Sequence, residues 1–143
     1  MISGICASVT AVLRNPKDEV LVVYRFRNPK GLATPAGHIK WEEDAGVAIR
    51  RIIPEITDIT VKDIVRKKEQ LIDVSPVYCN RGKGIHVCYV YEILSWNGNP
   101  KVMKPIKHKF VRFMPKSEVA EYIKHGEIDP CFPKILWEKL GIL

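Results

Sequence analysis

Two β-rich segments near the N-terminus limit the fold most strongly. They are ICASVTAVL (5 to 13) and EVLVVYRF (19 to 26). Between them lies RNPKD, in which Asn-Pro marks a turn, so the two segments are predicted to form a hairpin. Successive side chains of a strand point to opposite faces. The second segment places Val20, Val22, Tyr24 and Phe26 on one face and Leu21, Val23 and Arg25 on the other. A strand with apolar residues on both faces is covered on two sides, which predicts a layered α/β domain.

The rest of the chain adds one internal helix and further strands. Asp44 is placed as the N-cap of AGVAIRRIIPEI, and Pro54 predicts a kink or an early break in that helix. Further strands are predicted at 68–78, 84–94 and 108–115. Helices are predicted at 117–126, with Ser117 as N-cap and Gly126 as a stop, and at 133–141. The order of elements indicates a mixed sheet within a single domain, residues 1–143.

Composition and charge narrow the environment and the class of partner. The 143 residues are 46% apolar and 27% charged, as in an ordinary globular domain. No apolar run approaches the roughly 20 residues of a spanning helix, and no secretory signal is evident, so we expect a cytoplasmic protein without a membrane partner. The four cysteines form no C-x-x-C pair and are expected to be reduced. A net charge of +7 favours an anionic partner without identifying it.

The stretch PAGHIKWEEDAGVAIRRIIPEITDI, residues 35 to 59, resembles the Nudix box. That pattern is Gly, five residues, Glu, seven residues, Arg-Glu, an aliphatic residue, any residue, Glu-Glu, any residue, Gly and an aliphatic residue. Without a gap, this chain matches it at Gly37, Glu43, Arg51, Ile53, Glu55 and Ile59. The resemblance extends over roughly residues 5 to 123 and implies the α/β/α sandwich of the Nudix family, with a mixed β-sheet.

The departures from the box include two of the three positions that would bind metal. Positions 52, 55 and 56 share one helix face, and the resemblance implies that three carboxylates there would bind Mg²⁺ ions, which hold a pyrophosphate and activate water. This chain has Ile52 and Ile56 at two of those positions, Asp58 in place of the box glycine, and Lys40 where the family usually has a Glu. We expect both isoleucines to be mostly buried, because exposed apolar area is usually covered.

The residues that remain are of two kinds. The resemblance assigns Gly37, Glu43 and Arg51 to the scaffold, with Glu43 and Arg51 tying the loop to the helix. Glu55 is the one candidate for catalysis and metal binding, and its alternative role is an ordinary ion pair with Arg51 at i−4. Substitute metal ligands could come from Glu42, Asp44 and Asp58, although Asp44 fits an N-cap better.

Several basic residues are candidates for substrate binding. Arg25 and Arg27 end the second strand near the expected cleft, where resembling proteins often contact phosphate, although a solvated strand edge fits them better. Lys40 joins them as a candidate on the box loop. The segment KVMKPIKHKFVRFMPK (101 to 116) has six Lys or Arg residues and two Phe residues, which is compatible with nucleic-acid binding but fits better a charged strand with its apolar residues turned inward. His86 and Cys88 alternate on one strand, and packing explains them better than a metal site.

Two functional classes therefore stay open. One is a Nudix-like module that binds a nucleoside-diphosphate-type ligand or a partner and has weak or no hydrolytic activity. The other is an active Nudix pyrophosphohydrolase that cleaves a nucleoside diphosphate linked to another moiety through a rebuilt metal site. Mg²⁺ or Mn²⁺ is expected only in the second. A protein partner or homodimer is compatible with both, and nucleic acid is the weaker candidate.

Overall fold

A computed structural model describes residues 5–27, 30–73, 85–129 and 137–138 of the chain. The strands are β1 Ile5–Val12, β2 Val20–Arg25, β3 Gly31–Ala33, β4 Ala36–His38, β5 Thr60–Asp73, β6 Ile85–Asn97 and β7 His108–Met114. The helices are α1 Ala45–Thr57 and α2 Lys116–Lys124. None of the helices described is long and apolar enough to cross a membrane.

The strands form two sheets. The first has the order β4-β1-β6-β5, and the second has the order β3-β2-β7. β1 runs parallel to β6, whereas β4 pairs with β1 and β5 pairs with β6 in antiparallel fashion. Both β3 and β7 are antiparallel to β2. The predicted α/β class with a mixed sheet is confirmed.

The predicted hairpin between β1 and β2 is only partly correct. The connecting turn closes, with the Leu21 N–H bonded to the Leu13 carbonyl at 2.9 Å and a single antiparallel bridge from Arg14 to Val20. Beyond that turn the two strands enter different sheets, because β1 pairs with β6 and β4 along its length. Local sequence marks the turn, but the partner of β1 comes from a segment far along the chain.

Two apolar cores lie on opposite sides of β2, as its two apolar faces predict. Leu21 and Val23 pack in the core that contains the α1 residues Ala48, Ile49, Ile52 and Ile53. Val20, Val22 and Tyr24 pack in the core that contains Val119 of α2 and the buried Trp137. The central position of β2 therefore joins the two helical layers into one sandwich.

Several boundaries differ from the predicted ones. β5 begins at Thr60, eight residues before the predicted strand. Ser117 is not an N-cap, because α2 begins one residue earlier behind Pro115 and has no side-chain cap. α1 does not break at Pro54 but continues to Thr57. The turn at 79–83 and most of the helix predicted at 133–141 lie outside the described residues.

Candidate functional site

The loop that leads into the box carries the chain from one sheet to the other. β3 belongs to the second sheet and β4 to the first, and residues 34 and 35 lie between them. The buried Thr10 hydroxyl lies 2.5 Å from the Thr34 hydroxyl and donates to the Pro35 carbonyl at 2.9 Å. The Ala11 N–H also donates to that carbonyl, at 3.2 Å. These bonds attach the start of the box loop to β1.

An ion pair between Glu43 and Arg51 fastens the loop to α1. The Arg51 Nε and Nη2 groups donate to the two Glu43 carboxylate oxygens at 2.8 and 2.9 Å. Arg51 also donates to the His38 carbonyl at 3.1 Å, and the Lys40 N–H donates to Glu43 at 2.9 Å. The hydrogen bond from Arg51, followed by that from the Lys40 backbone, lowers the pKa of Glu43 to about 2. A bidentate pair of this kind fixes geometry as well as charge, and the scaffold role predicted for Glu43 and Arg51 agrees with it.

Both ends of α1 are capped by aspartates. Asp44 accepts a hydrogen bond from the Gly46 N–H at 3.0 Å, which confirms the predicted N-cap. Asp58 ends the helix with φ 66°, in the left-handed region, and its N–H bonds to the Pro54 carbonyl. Glycine is the usual residue in that conformation, so Asp58 keeps the backbone shape of the box position at which it replaces Gly.

Ile52 lies directly against Gly37 of β4. Its side chain is only 3% exposed and belongs to the α1-side core, the one that contains the buried residues of α1. A β-carbon added to Gly37 would lie 2.8 Å from Ile52 Cδ1, so the glycine leaves space that the isoleucine fills. Ile56 is partly buried against the same core. The expected burial of both isoleucines is confirmed, and β4 provides part of the cover for Ile52.

Glu55 is exposed to solvent and lies near Arg51. Its carboxylate lies 3.5 Å from Arg51 Nη1, and nearly half of its side chain is exposed. The other nearby acids have their own contacts: Glu43 binds Arg51, Asp44 caps the helix, and Asp58 lies 3.4 Å from Lys101 Nζ. Glu42 is exposed, at a left-handed backbone position.

This donor set does not fit a resident Mg²⁺ or Mn²⁺ ion. Hard divalent cations take several oxygen ligands, and the side chain nearest to Gly37 is the hydrocarbon of Ile52. Within the described part of the chain, no group of three or more His, Cys, Asp or Glu residues is placed to hold a metal ion.

The predicted substrate-binding residues occupy two places. Lys40 is exposed on the box loop. Its backbone N–H donates to Glu43, which is the residue that fastens this loop to α1. Arg25 is the last residue of β2, in the second sheet, and Arg27 lies two residues beyond it. Arg25 pairs in register with His108 and lies 4.0 Å from the buried Asp129. Arg27 is exposed.

His108 is a residue that the sequence analysis did not single out. It is 7% exposed, and burial followed by the charges of Arg25, Lys104 and Lys107 lowers its pKa to about 4. It is therefore neutral at pH 7. The signal in the sequence was its position among lysines in KPIKHK, because a histidine surrounded by cations is stabilised in the neutral form.

The weaker candidates agree with packing roles. Cys88 is buried, and burial raises the pKa of its thiol to about 11, so it behaves as a small apolar residue. The side chain of His86 lies outside the described residues. Phe110 packs against the core on the α2 side and Phe113 against the core on the α1 side. The prediction that segment 101–116 is a strand with its apolar residues turned inward therefore holds for β7 only, because Met103 and Ile106 precede β7 and are exposed.

Comparisons with known proteins agree with this architecture. The family model of the NUDIX domain matches residues 5–134. A MutT NUDIX hydrolase from Burkholderia pseudomallei is 21% identical, with a TM-score of 0.67 over 79% of this chain and 84% of that chain. MutT protein from Methanosarcina mazei Go1 is 16% identical, with a TM-score of 0.72 over 99% and 96%.

The NUDIX domain of Shewanella oneidensis NrtR, solved in complex with ADP ribose, is 20% identical, with a TM-score of 0.68 over 85% of this chain and 79% of that chain. No curated protein matches the chain significantly. At these identities the solved structures establish a common fold, and the family model extends over most of the sequence. The chain belongs to the Nudix family.

Proposed function

We propose that this Nudix-family protein binds a nucleoside-diphosphate-type ligand and that its hydrolytic activity is weak or lost. The observation that carries the proposal is the burial of Ile52 against Gly37. An aliphatic side chain there offers no lone pair, and it excludes water from the position where the family resemblance implies a metal ligand. The single carboxylate left on that face, Glu55, is paired with Arg51.

Retained binding is supported by the parts of the box that remain intact. The Glu43–Arg51 pair keeps the loop against the helix, so the backbone shape of the site does not depend on metal. Arg25, Arg27 and Lys40 supply positive charge that suits phosphate groups, and the chain carries a net charge of +7. The NUDIX domain of NrtR was solved with ADP ribose, and that molecule is a reasonable first ligand for this protein.

Calorimetry with ADP ribose in the presence of a chelator tests ligand binding directly. We expect saturable binding without metal, weakened about tenfold by Arg25→Ala or Lys40→Ala, because each removes a charge-assisted contact to phosphate. Lys62→Ala, an exposed lysine on β5, is the matched control and should bind as the parent does. Equal affinities for all four proteins would contradict the assignment of these residues.

Activity assays on dinucleoside and sugar nucleotides with Mg²⁺ and Mn²⁺ test the loss of hydrolysis. We expect turnover far below an ordinary enzyme rate of about 1 per second or faster. Turnover at that rate, abolished by Glu55→Gln, would establish the alternative function, an active Nudix pyrophosphohydrolase with a rebuilt metal site.

Restoring the acids gives the converse test. Ile52→Glu with Ile56→Glu, and Lys40→Glu if needed, should create a carboxylate face that takes Mn²⁺. The variant should be less stable than the parent without metal, since each lost isoleucine burial costs roughly 1.5 to 3 kcal/mol and the acids repel one another. Melting temperatures with and without Mn²⁺ measure this. If the melting temperature of the variant did not respond to Mn²⁺, the site would lack more than the metal-binding carboxylates.

A further inference from the structure

A small apolar group is exposed where the end of β2 meets the turn before β7. It consists of Phe26, Met103 and Ile106, which are 46%, 40% and 79% exposed; we refer to these three residues as the apolar tip. Exposed large apolar side chains that cluster on a surface often mark interaction sites. The tip lies outside the box; of the residues around it, Arg27 is also a candidate for phosphate binding in the function proposed above.

Backbone hydrogen bonds hold the apolar tip in place. The N–H groups of Lys107 and His108 both donate to the Lys104 carbonyl, at 2.9 and 3.0 Å, which closes a helical turn around Ile106. The Phe26 N–H donates to the Lys107 carbonyl at 3.1 Å and so joins the end of β2 to this turn. His108, buried directly after the turn, anchors it to the sheet.

Positive charge surrounds the apolar tip. Arg27, Lys104 and Lys107 are exposed and lie next to its three members in the chain. Between Glu92 and Glu118 the sequence contains six Lys or Arg residues and no Asp or Glu. The positive charges of Arg25, Lys104 and Lys107 also help to lower the pKa of the buried His108, after the larger effect of burial.

Other exposed apolar residues lack this setting. Trp41 is 75% exposed, but Glu42 and Glu43 follow it directly. Leu94 is exposed on β6, two residues from Glu92 and next to Ser95, which bonds to Asp63. At the apolar tip, by contrast, the charged residues directly next to Phe26, Met103 and Ile106 in the chain are all cations.

The chemistry of the tip identifies its partner. Ile106 and Met103 have no π-face on which a nucleobase could stack, so they gain only by leaving water for an apolar medium. A second copy of the chain is disfavoured, because each carries a net charge of +7. Apolar side chains on an exposed turn, bordered by Lys and Arg, match an anionic lipid surface, where the former enter the acyl boundary and the latter meet the headgroups.

We propose that the apolar tip and its cations, Arg27, Lys104 and Lys107, bind the protein peripherally to anionic membranes. Adsorption of a turn to a lipid surface needs no spanning helix. The proposal therefore departs from the expectation of no membrane partner, which rested on the lack of a long apolar run and of a secretory signal in the sequence. The tip supplies apolar burial and the cations supply attraction that depends on salt. Both contributions are needed, because one apolar group or one basic cluster alone gives only marginal and reversible binding.

Co-sedimentation of the full chain with vesicles tests the proposal. One set is phosphatidylcholine alone and the other contains about 30 mol% phosphatidylserine, to provide an anionic surface. We expect binding to the anionic vesicles only, weakened by added salt. Lys104→Glu with Lys107→Glu should reduce the partition coefficient at least tenfold, since each cation near such a surface strengthens binding roughly fivefold. Met103→Ser with Ile106→Ser should reduce it about tenfold.

Matched controls separate this surface from the general charge of the protein. Leu94→Ser removes an equally accessible aliphatic residue elsewhere, and Lys62→Glu reverses an exposed lysine on β5. Both should bind anionic vesicles within about twofold of the parent. Circular dichroism melts establish that each variant is folded, which is expected because all of these side chains are exposed.

Four results would overturn the proposal. The parent could fail to bind anionic vesicles. Lys62→Glu could weaken binding as much as the Lys104 and Lys107 pair, which would indicate diffuse adsorption of a basic protein. The serine variant could bind as well as the parent, which would leave the apolar tip without a role. Finally, the same residues could govern binding to a single-stranded RNA oligonucleotide, or self-association in sedimentation velocity, more strongly than binding to vesicles.

Discussion

Ile52 and Ile106 are the same residue type in opposite surroundings. Ile52 stands at a box position where the family pattern has a carboxylate, and it is buried against Gly37. Ile106 is 79% exposed on a turn bordered by lysines. At the first site the fold itself accounts for the apolar residue, because packing has replaced a ligand. At the second site nothing within the described chain covers the side chain, and the membrane partner proposed above would cover it.

The largest difference between the two sites should appear when each isoleucine is truncated to alanine. Ile52→Ala should lower the free energy of unfolding by roughly 2 to 5 kcal/mol, since it removes buried methyl groups and leaves a cavity beside Gly37. Ile106→Ala, the matched control, should stay within about 0.5 kcal/mol of the parent. Urea denaturation measures both. A similar cost at the two positions would mean that Ile106 is covered in solution.

Lowering the pH should test the burial of His108, which follows the basic turn. The folded pKa of His108 is lowered from 6.5 to about 4, so below pH 6.5 the unfolded chain takes up a proton that the folded chain does not. Stability should therefore fall as the pH is lowered from 6.5 to 4, by on the order of 3 kcal/mol. His108→Gln should flatten this part of the pH profile. An unchanged slope in that variant would show that other groups control it.

Removing the N-cap should have a smaller effect, confined to α1. Asp44→Ala should cost about 1 kcal/mol, because the Gly46 N–H loses its acceptor. Asp44→Asn keeps an oxygen at the same place and should cost much less. Thermal unfolding of the two variants distinguishes loss of the cap from loss of charge. If the two variants were equally destabilised, the charge rather than the hydrogen bond would be responsible.

The smallest effect is expected at Glu55. Glu55→Gln should change stability by no more than a few tenths of a kcal/mol, because its pair with Arg51 is an exposed contact at i, i+4. The melting temperature of the parent should not rise with millimolar Mg²⁺, and that of the variant should behave in the same way. Stabilisation of the parent by Mg²⁺, lost in Glu55→Gln, would restore Glu55 as a metal ligand.

Local features of the site could be predicted from the sequence, and their surroundings could not. The Asp44 cap follows from local sequence, and the tie of Glu43 to Arg51 was implied by the resemblance to the Nudix box. The contact of Ile52 with Gly37 depends on where β4 lies against the helix, which spacing does not give. Phe26 was expected to continue the alternation of β2, but a register shift between Tyr24 and Arg25 ends that pattern, and the side chain is exposed.

The parallel pairing of β1 with β6 also affects how the chain folds. Ile5 pairs with Ile85, so the central strands of the first sheet meet only after about 80 residues of intervening chain have been made or have collapsed, and contacts between distant segments slow folding. During synthesis, β1 emerges first and must wait for its partner while its apolar residues Val9, Ala11 and Val12 remain available to other strands. Premature pairing of this N-terminal strand is therefore the misfolding route to which the topology exposes the nascent chain.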